Sequence, residues 1–129
     1  MSREIKDLTP LLQEVFKDFE LWYSKNHFNK EVFLTCTHRP IEEQAVLYSV
    51  GRTRPGNKLT NCDGLTKPSK HNLLPSKAFD FGVKDNGLIV WHDSYFTPVL
   101  EFIKNSKYKD KIRSGGLFSF KDWQHIEEI

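Results

Sequence analysis

Ser69-Lys70-His71-Asn72-Leu73-Leu74-Pro75-Ser76-Lys77-Ala78-Phe79-Asp80-Phe81 sets a histidine in a polar loop and a carboxylate inside an apolar strand. A strand sends alternate side chains to opposite faces, so Ala78, Asp80 and Gly82 share one face and Phe79, Phe81 and Val83 the other. An acid embedded among aromatics is costly to desolvate unless something neutralises it. A cation held jointly with His71 would do so. This strand therefore implies both a sheet with one apolar face and a charged centre on the opposite face.

Working outward, the strand is followed by Asp85-Asn86-Gly87, a hairpin signal, and Leu88 to Trp91 reads as the return strand. Upstream, Val32 to Thr37 is β-branched and apolar and reads as another strand. It ends at His38-Arg39-Pro40, where Pro40 opens a helix with Glu42 and Glu43 in its first turn and Ala45, Val46, Leu47 and Tyr48 beyond, to about Gly51. Arg39 thus sits where a strand hands over to a helix, a place where side chains point into clefts. Arg52 to Lys70 is long and polar and reads as a rim or lid rather than a linker. At the N-terminus, Thr9-Pro10 starts a helix over about 9–25, with Leu8, Leu11, Leu12, Val15, Phe16, Phe19, Trp22 and Tyr23 at helical spacing.

After the hairpin, Asp93 or Ser94 caps a third helix carrying Tyr95, Phe96, Val99, Leu100 and Ile103. Lys104 to Arg113 reads as a basic turn leading to Gly115-Gly116, and a last short strand spans Gln124 to Glu128. Together these elements predict an α+β fold: one domain over residues 1–129, with a small antiparallel sheet of about four strands and helices packed against it.

Composition bounds the function. The chain has 129 residues, ten Phe and a formal charge of +2, enough for one core and too little charge to demand nucleic acid. Cys36 and Cys62 form no CxxC pair and read as reduced thiols. No apolar run is long enough for a signal peptide or a membrane span, which predicts synthesis in the cytoplasm without membrane insertion. No wall-binding domain separate from the rest fits in this length.

Catalytic zinc sites commonly use three protein ligands and leave one position for water. His71 and Asp80 supply two. Asp122-Trp123-Gln124-His125 offers a third ligand together with a second carboxylate, and that carboxylate suits a proton carrier. Taken singly, each motif has an ordinary structural explanation, whether an ion pair, a packed histidine or a loop cap. Their co-occurrence is what points to a metal centre.

The order of motifs adds to this. The chain reads Arg39, Glu43-Gln44, Leu47-Tyr48 and Gly51-Arg52-Thr53, then Ser69-x-His71 and Ala78-x-Asp80, and finally Gly115-Gly116, Phe118 and Asp122-x-x-His125. In this order and spacing it resembles the zinc peptidases of the D-Ala-D-Ala carboxypeptidase and dipeptidase family, which cut peptidoglycan peptides. It is most similar to their phage endolysin branch, the L-alanyl-D-glutamate peptidases. The matches run from about residue 34 to 127. There are departures: eight residues rather than the commoner six separate His71 from Asp80, Cys36 stands where Ser is usual, and Phe118, Gln124 and Ile126 replace a common Trp, Pro and Phe.

The resemblance implies that His71, Asp80 and His125 bind Zn2+, that Asp122 is the general base and that Arg39 stabilises the developing oxyanion. Ser69 would bind substrate or, equally, cap its own loop; Trp123 would pack beside the site. The implied function is a zinc metallopeptidase and peptidoglycan hydrolase cutting the L-alanyl-D-glutamate bond of the stem peptide, as a phage endolysin causing host lysis. Its expected partner is bacterial peptidoglycan, engaged by a monomer, with no nucleic acid, and its expected place of action is the wall after membrane permeabilisation. A D-Ala-D-Ala dipeptidase or D,D-carboxypeptidase, or a non-catalytic zinc- or wall-binding module, are the alternatives.

Overall fold

The computed structural model describes residues 1–129. Three α-helices, α1 (Pro10–Asn26), α2 (Ile41–Ser49) and α3 (Val99–Asn105), accompany five strands: β1 (Lys30–Cys36), β2 (Ala78–Asp85), β3 (Leu88–Val90), β4 (Ile112–Ser114) and β5 (His125–Glu128). The fold is the predicted α+β domain, and its sheet is wholly antiparallel. The strand order is β1-β2-β5-β4, with β3 also paired to β2. β2 is the hub. β1 lies along one edge, while β5 pairs with its first half (Ala78 to Asp80) and β3 with its second (Val83 to Asp85).

α1 starts as its sequence requires. The Thr9 hydroxyl accepts a hydrogen bond from the Leu12 amide (3.3 Å), and Pro10 occupies the first turn, where its missing N–H is not needed. Its buried stripe of Leu12, Val15, Phe16, Phe19 and Tyr23 lies on the sheet. Phe19 meets Phe81 of β2 edge-to-face with ring centroids 4.9 Å apart and Phe102 of α3 at 5.0 Å. Side chains of this size each stabilise the fold by about 1.5–3 kcal/mol on burial. Phe79, Phe81 and Val83 all enter this core, so the apolar face of β2 is the predicted one.

Three details differ from expectation. The third helix is broken. A 3-10 turn covers Asp93–Tyr95 and α3 begins only at Val99, because Pro98 brings no amide to continue the first turn. The sheet gains a strand where a basic turn was expected. Ile112–Ser114 pairs with β5 as an edge, a segment too short to show a period, and Ile112 is buried. α2 buries no apolar residue; its one buried side chain is Gln44. The Asn86-Gly87 turn has positive φ at both positions (52° and 83°), as a tight hairpin turn requires. No helix is long and apolar enough to cross a membrane.

Candidate active site

The predicted ligands converge from separate elements. His71 sits in the 3-10 turn Lys70–Asn72, Asp80 on the polar face of β2, and His125 at the start of β5, directly opposite Asp80 in the ladder. His71 Nε2 lies 3.2 Å from Asp80 Oδ1 and 3.2 Å from His125 Nδ1, and the third edge, His125 Nδ1 to Asp80 Oδ1, is 3.1 Å. The outer nitrogens fix what the inner ones present. His71 Nδ1 faces the Thr37 carbonyl at 2.8 Å and can only donate there; His125 Nε2 faces Glu127 Oε1 at 2.8 Å and donates likewise. In its neutral form each ring therefore turns a lone pair toward the Asp80 carboxylate.

Three acceptors pointing at one another repel unless a positive charge sits among them. The electrostatics agree. Burial opposes charge on His71 and His125, yet Asp80 raises the first well above the usual imidazole range, and Asp80 with Glu127 raises the second. Burial likewise opposes the Asp80 anion, and the two imidazoles still hold its carboxyl far below the usual carboxylate range. The donor set suits a divalent cation: two neutral imidazoles, one carboxylate, and each imidazole oriented by an outer acceptor.

The surroundings are built by local chemistry. The pairing register shifts between Leu34 and Cys36, so the end of β1 turns the Thr37 carbonyl toward His71. The turn holding His71 is closed by Ser69 and Asn72, a reciprocal cap in which the Ser69 hydroxyl accepts from the His71 amide (3.3 Å). Ser69 thus performs the loop-capping role, and it also lines the cleft. Gly115 and Gly116 allow a close approach that no side chain permits. A Cβ on Gly115 would lie 2.3 Å from the Asp122 carbonyl oxygen, and one on Gly116 2.3 Å from the Trp123 ring. Trp123 packs against the core beside the site, as expected.

Asp122 faces the same centre: its carboxylate, that of Asp80 and the His125 imidazole offer ligand atoms all within 4.8 Å of one another. Burial, and then the charge of Asp80, push its carboxyl above the ordinary value. Arg39 closes the opposite side, with Nη2 3.6 Å from Asp80 Oδ2 and Nη1 donating to Gln44 Oε1 at 2.8 Å. Its Nε is buried without a partner. All five residues expected to carry chemistry, together with Ser69, line one cleft of about 640 Å³, whose rim includes Leu59 to Cys62 and Pro68 of the long polar segment.

Three contributors were given no role in the site from the sequence. Gln44, fully buried, joins Arg39 to that long segment, its amide donating to the Cys62 carbonyl at 2.9 Å. Glu127 lies two residues past His125, hence on the same face of β5, and that period-two spacing is the signal that could have found it. Cys36, noted only as a departure from Ser, places Sγ 3.7 Å from His71 Nδ1 and 3.6 Å from Arg39 Nη2. Cys36 and Cys62 are both free thiols, as expected.

No family model matches the chain. The peptidoglycan L-alanyl-D-glutamate endopeptidase CwlK of Bacillus subtilis is 33% identical over 106 residues, which cover 77% of this chain and 61% of that protein. The chain therefore spans about three-fifths of the length of this curated relative. In structure, the Serratia marcescens L-Ala D-Glu endopeptidase ChiX superposes with a TM-score of 0.68 at 15% identity, over 97% of this chain and 83% of that one. The second likeness is one of fold; the first is one of sequence. The chain is thus similar in sequence to part of one L-alanyl-D-glutamate endopeptidase and in fold to a second.

Proposed function

We propose that this chain is a zinc-dependent peptidase that hydrolyses the L-alanyl-D-glutamate bond in the stem peptide of peptidoglycan. The observation that carries the reading is the triangle of His71 Nε2, Asp80 Oδ1 and His125 Nδ1, with edges of 3.1 and 3.2 Å. Ligands about 2.0–2.1 Å from a tetrahedral zinc lie roughly 3.3 Å apart, so the three side chains need almost no rearrangement to hold one. Zinc bound there would supply a Lewis acid that brings the pKa of water toward ~7 and polarises a carbonyl.

The chain's own residues do the rest. Asp122, buried enough to bind a proton more readily than a free aspartate, takes a proton from the attacking water and returns it to the leaving amine. Arg39 is a fixed cation held by Gln44, and its guanidinium is placed to offset the negative charge that develops on the scissile carbonyl oxygen. Thr37 and Glu127 keep both imidazoles in the ligating tautomer. Pure binding would need neither Asp122 nor Arg39 in the cleft, which favours an enzyme over a wall-binding module.

The lytic role of a phage endolysin, acting on the wall after the membrane is permeabilised, belongs to the same reading. It is supported by the His71-Asn72 and Pro75-Ser76-x-Ala78-x-Asp80 pattern, which resembles the phage branch. The test is mass spectrometry of digested muropeptides. New D-glutamate amino termini are expected; new free D-alanine would move the assignment to a D-Ala-D-Ala hydrolase, and intact stems pelleting with the protein would make it a binding module.

A further inference from the structure

Glu127 is 7% exposed and its carboxylate is fully engaged. Oε1 accepts from His125; Oε2 accepts from Arg113 Nε (2.9 Å) and Nη2 (2.8 Å) and lies 3.2 Å from Lys70 Nζ. Two cations therefore share one acid, and one positive charge is left over. All three line the cleft, but the cations are the more open: the side chains of Arg113 and Lys70 are 47% and 30% exposed, that of Glu127 10%. Arg113 Nη1 makes no hydrogen bond within the protein. The guanidinium carbon lies 5.7 Å from the centre of the Phe118 ring, which shields one side of it from water.

We propose that Arg113, assisted by Lys70, is a carboxylate-reading wall that recognises a free acid on the amine side of the scissile amide. The enzyme then selects stems whose glutamate keeps its α-carboxylate over stems in which that group is a neutral carboxamide. This inference rests on the peptidase reading above. Its geometry follows from the β4–β5 ladder, where Arg113 stands opposite Glu127, two hydrogen bonds away from the His125 ring. Arg113 and Lys70 line the same cleft as His125, so an amide held at His125 and an acid held at this wall share one space. Arg39 is engaged on the other side by Gln44 and Asp80, and Asp122 repels an acid, so the anion is directed to Arg113.

The experiment uses the full chain loaded with zinc and two synthetic stem peptides that differ only at that glutamate, acid against carboxamide. A charge-assisted hydrogen bond predicts a kcat/KM preference of about tenfold or more for the acid, shrinking as salt rises. Arg113→Gln should bring the ratio toward unity. Because that change also frees Glu127, the ratio within each variant is read rather than the rate. Lys70→Gln, which keeps the Arg113–Glu127 pair, should lower the same ratio by a smaller factor. Equal kcat/KM for the two peptides in the unmodified chain, or a ratio unmoved by both substitutions, overturns the inference and leaves the peptidase reading standing. Cleavage of neither peptide overturns that reading, and the inference with it.

Discussion

The two faces of β2 differ more than any other pair of surfaces in the molecule. On one, Phe79, Phe81 and Val83 disappear into an aromatic core closed by α1 and α3. On the other, Asp80 gathers two imidazoles and a guanidinium around a single carboxylate oxygen pair. The first face is non-directional: area removed from water holds it together, and neighbouring rings can shift to share a loss. The second face is directional. Each inner atom is aimed by an outer hydrogen bond, from Thr37, Glu127 or Gln44, and a partner lost there leaves a buried polar group unpaired. Substitutions on the first face should therefore change how much protein is folded, and substitutions on the second what the folded protein does.

That contrast can be broken by experiment. The largest effect is expected from His71→Ala, which removes one ligand of three. Bound zinc should fall from about one per chain to none and wall digestion should cease, while the far-UV circular dichroism stays that of the folded chain. Retained zinc would show that the polar face is not the metal centre. On the opposite face, Phe81→Ala should cost about 3–5 kcal/mol in denaturant unfolding, because Phe81 is fully buried between Phe19 and Phe96, yet the remaining folded molecules should still bind zinc. Loss of zinc without loss of stability would reverse the assignment of the faces.

Two further substitutions sharpen the contrast within the polar face. Arg39→Ala should lower kcat by about 10²–10³-fold and leave zinc affinity intact, since the guanidinium serves the substrate's oxyanion rather than the ion. Glu127→Gln should do the reverse: zinc affinity, measured by competition with a chromophoric chelator, falls about 10–100-fold because the acceptor that orients His125 is weakened. A kcat effect without an affinity effect at Glu127 would contradict its place behind the ligand.

Much of this was legible in the chain. The alternation Phe79-Asp80-Phe81 announces the two faces by itself, and the stripe along α1 identifies what covers the apolar one. His71, Asp80, His125, Asp122 and Arg39 were all legible as candidates, through motif order and spacing, and they meet in one cleft. What could not be read was the support. β4 is three residues long and exists because β5 offers it an edge. Gln44 stands in the Glu43-Gln44 motif, but its role appears only when Arg39 and the Cys62 carbonyl are brought to it from either side. Period-two spacing puts Glu127 on the face of His125, but its partner Arg113 becomes visible only once β4 pairs with β5. Such roles depend on contacts between distant segments, which local pattern does not carry.

The most direct measurement is the clearing of a cell-wall suspension by chelator-stripped protein, followed before and after zinc is returned. Three side chains built to surround one ion predict no clearing by the stripped chain and recovery at about one equivalent of zinc. Undiminished clearing by the stripped chain would contradict the account at its centre.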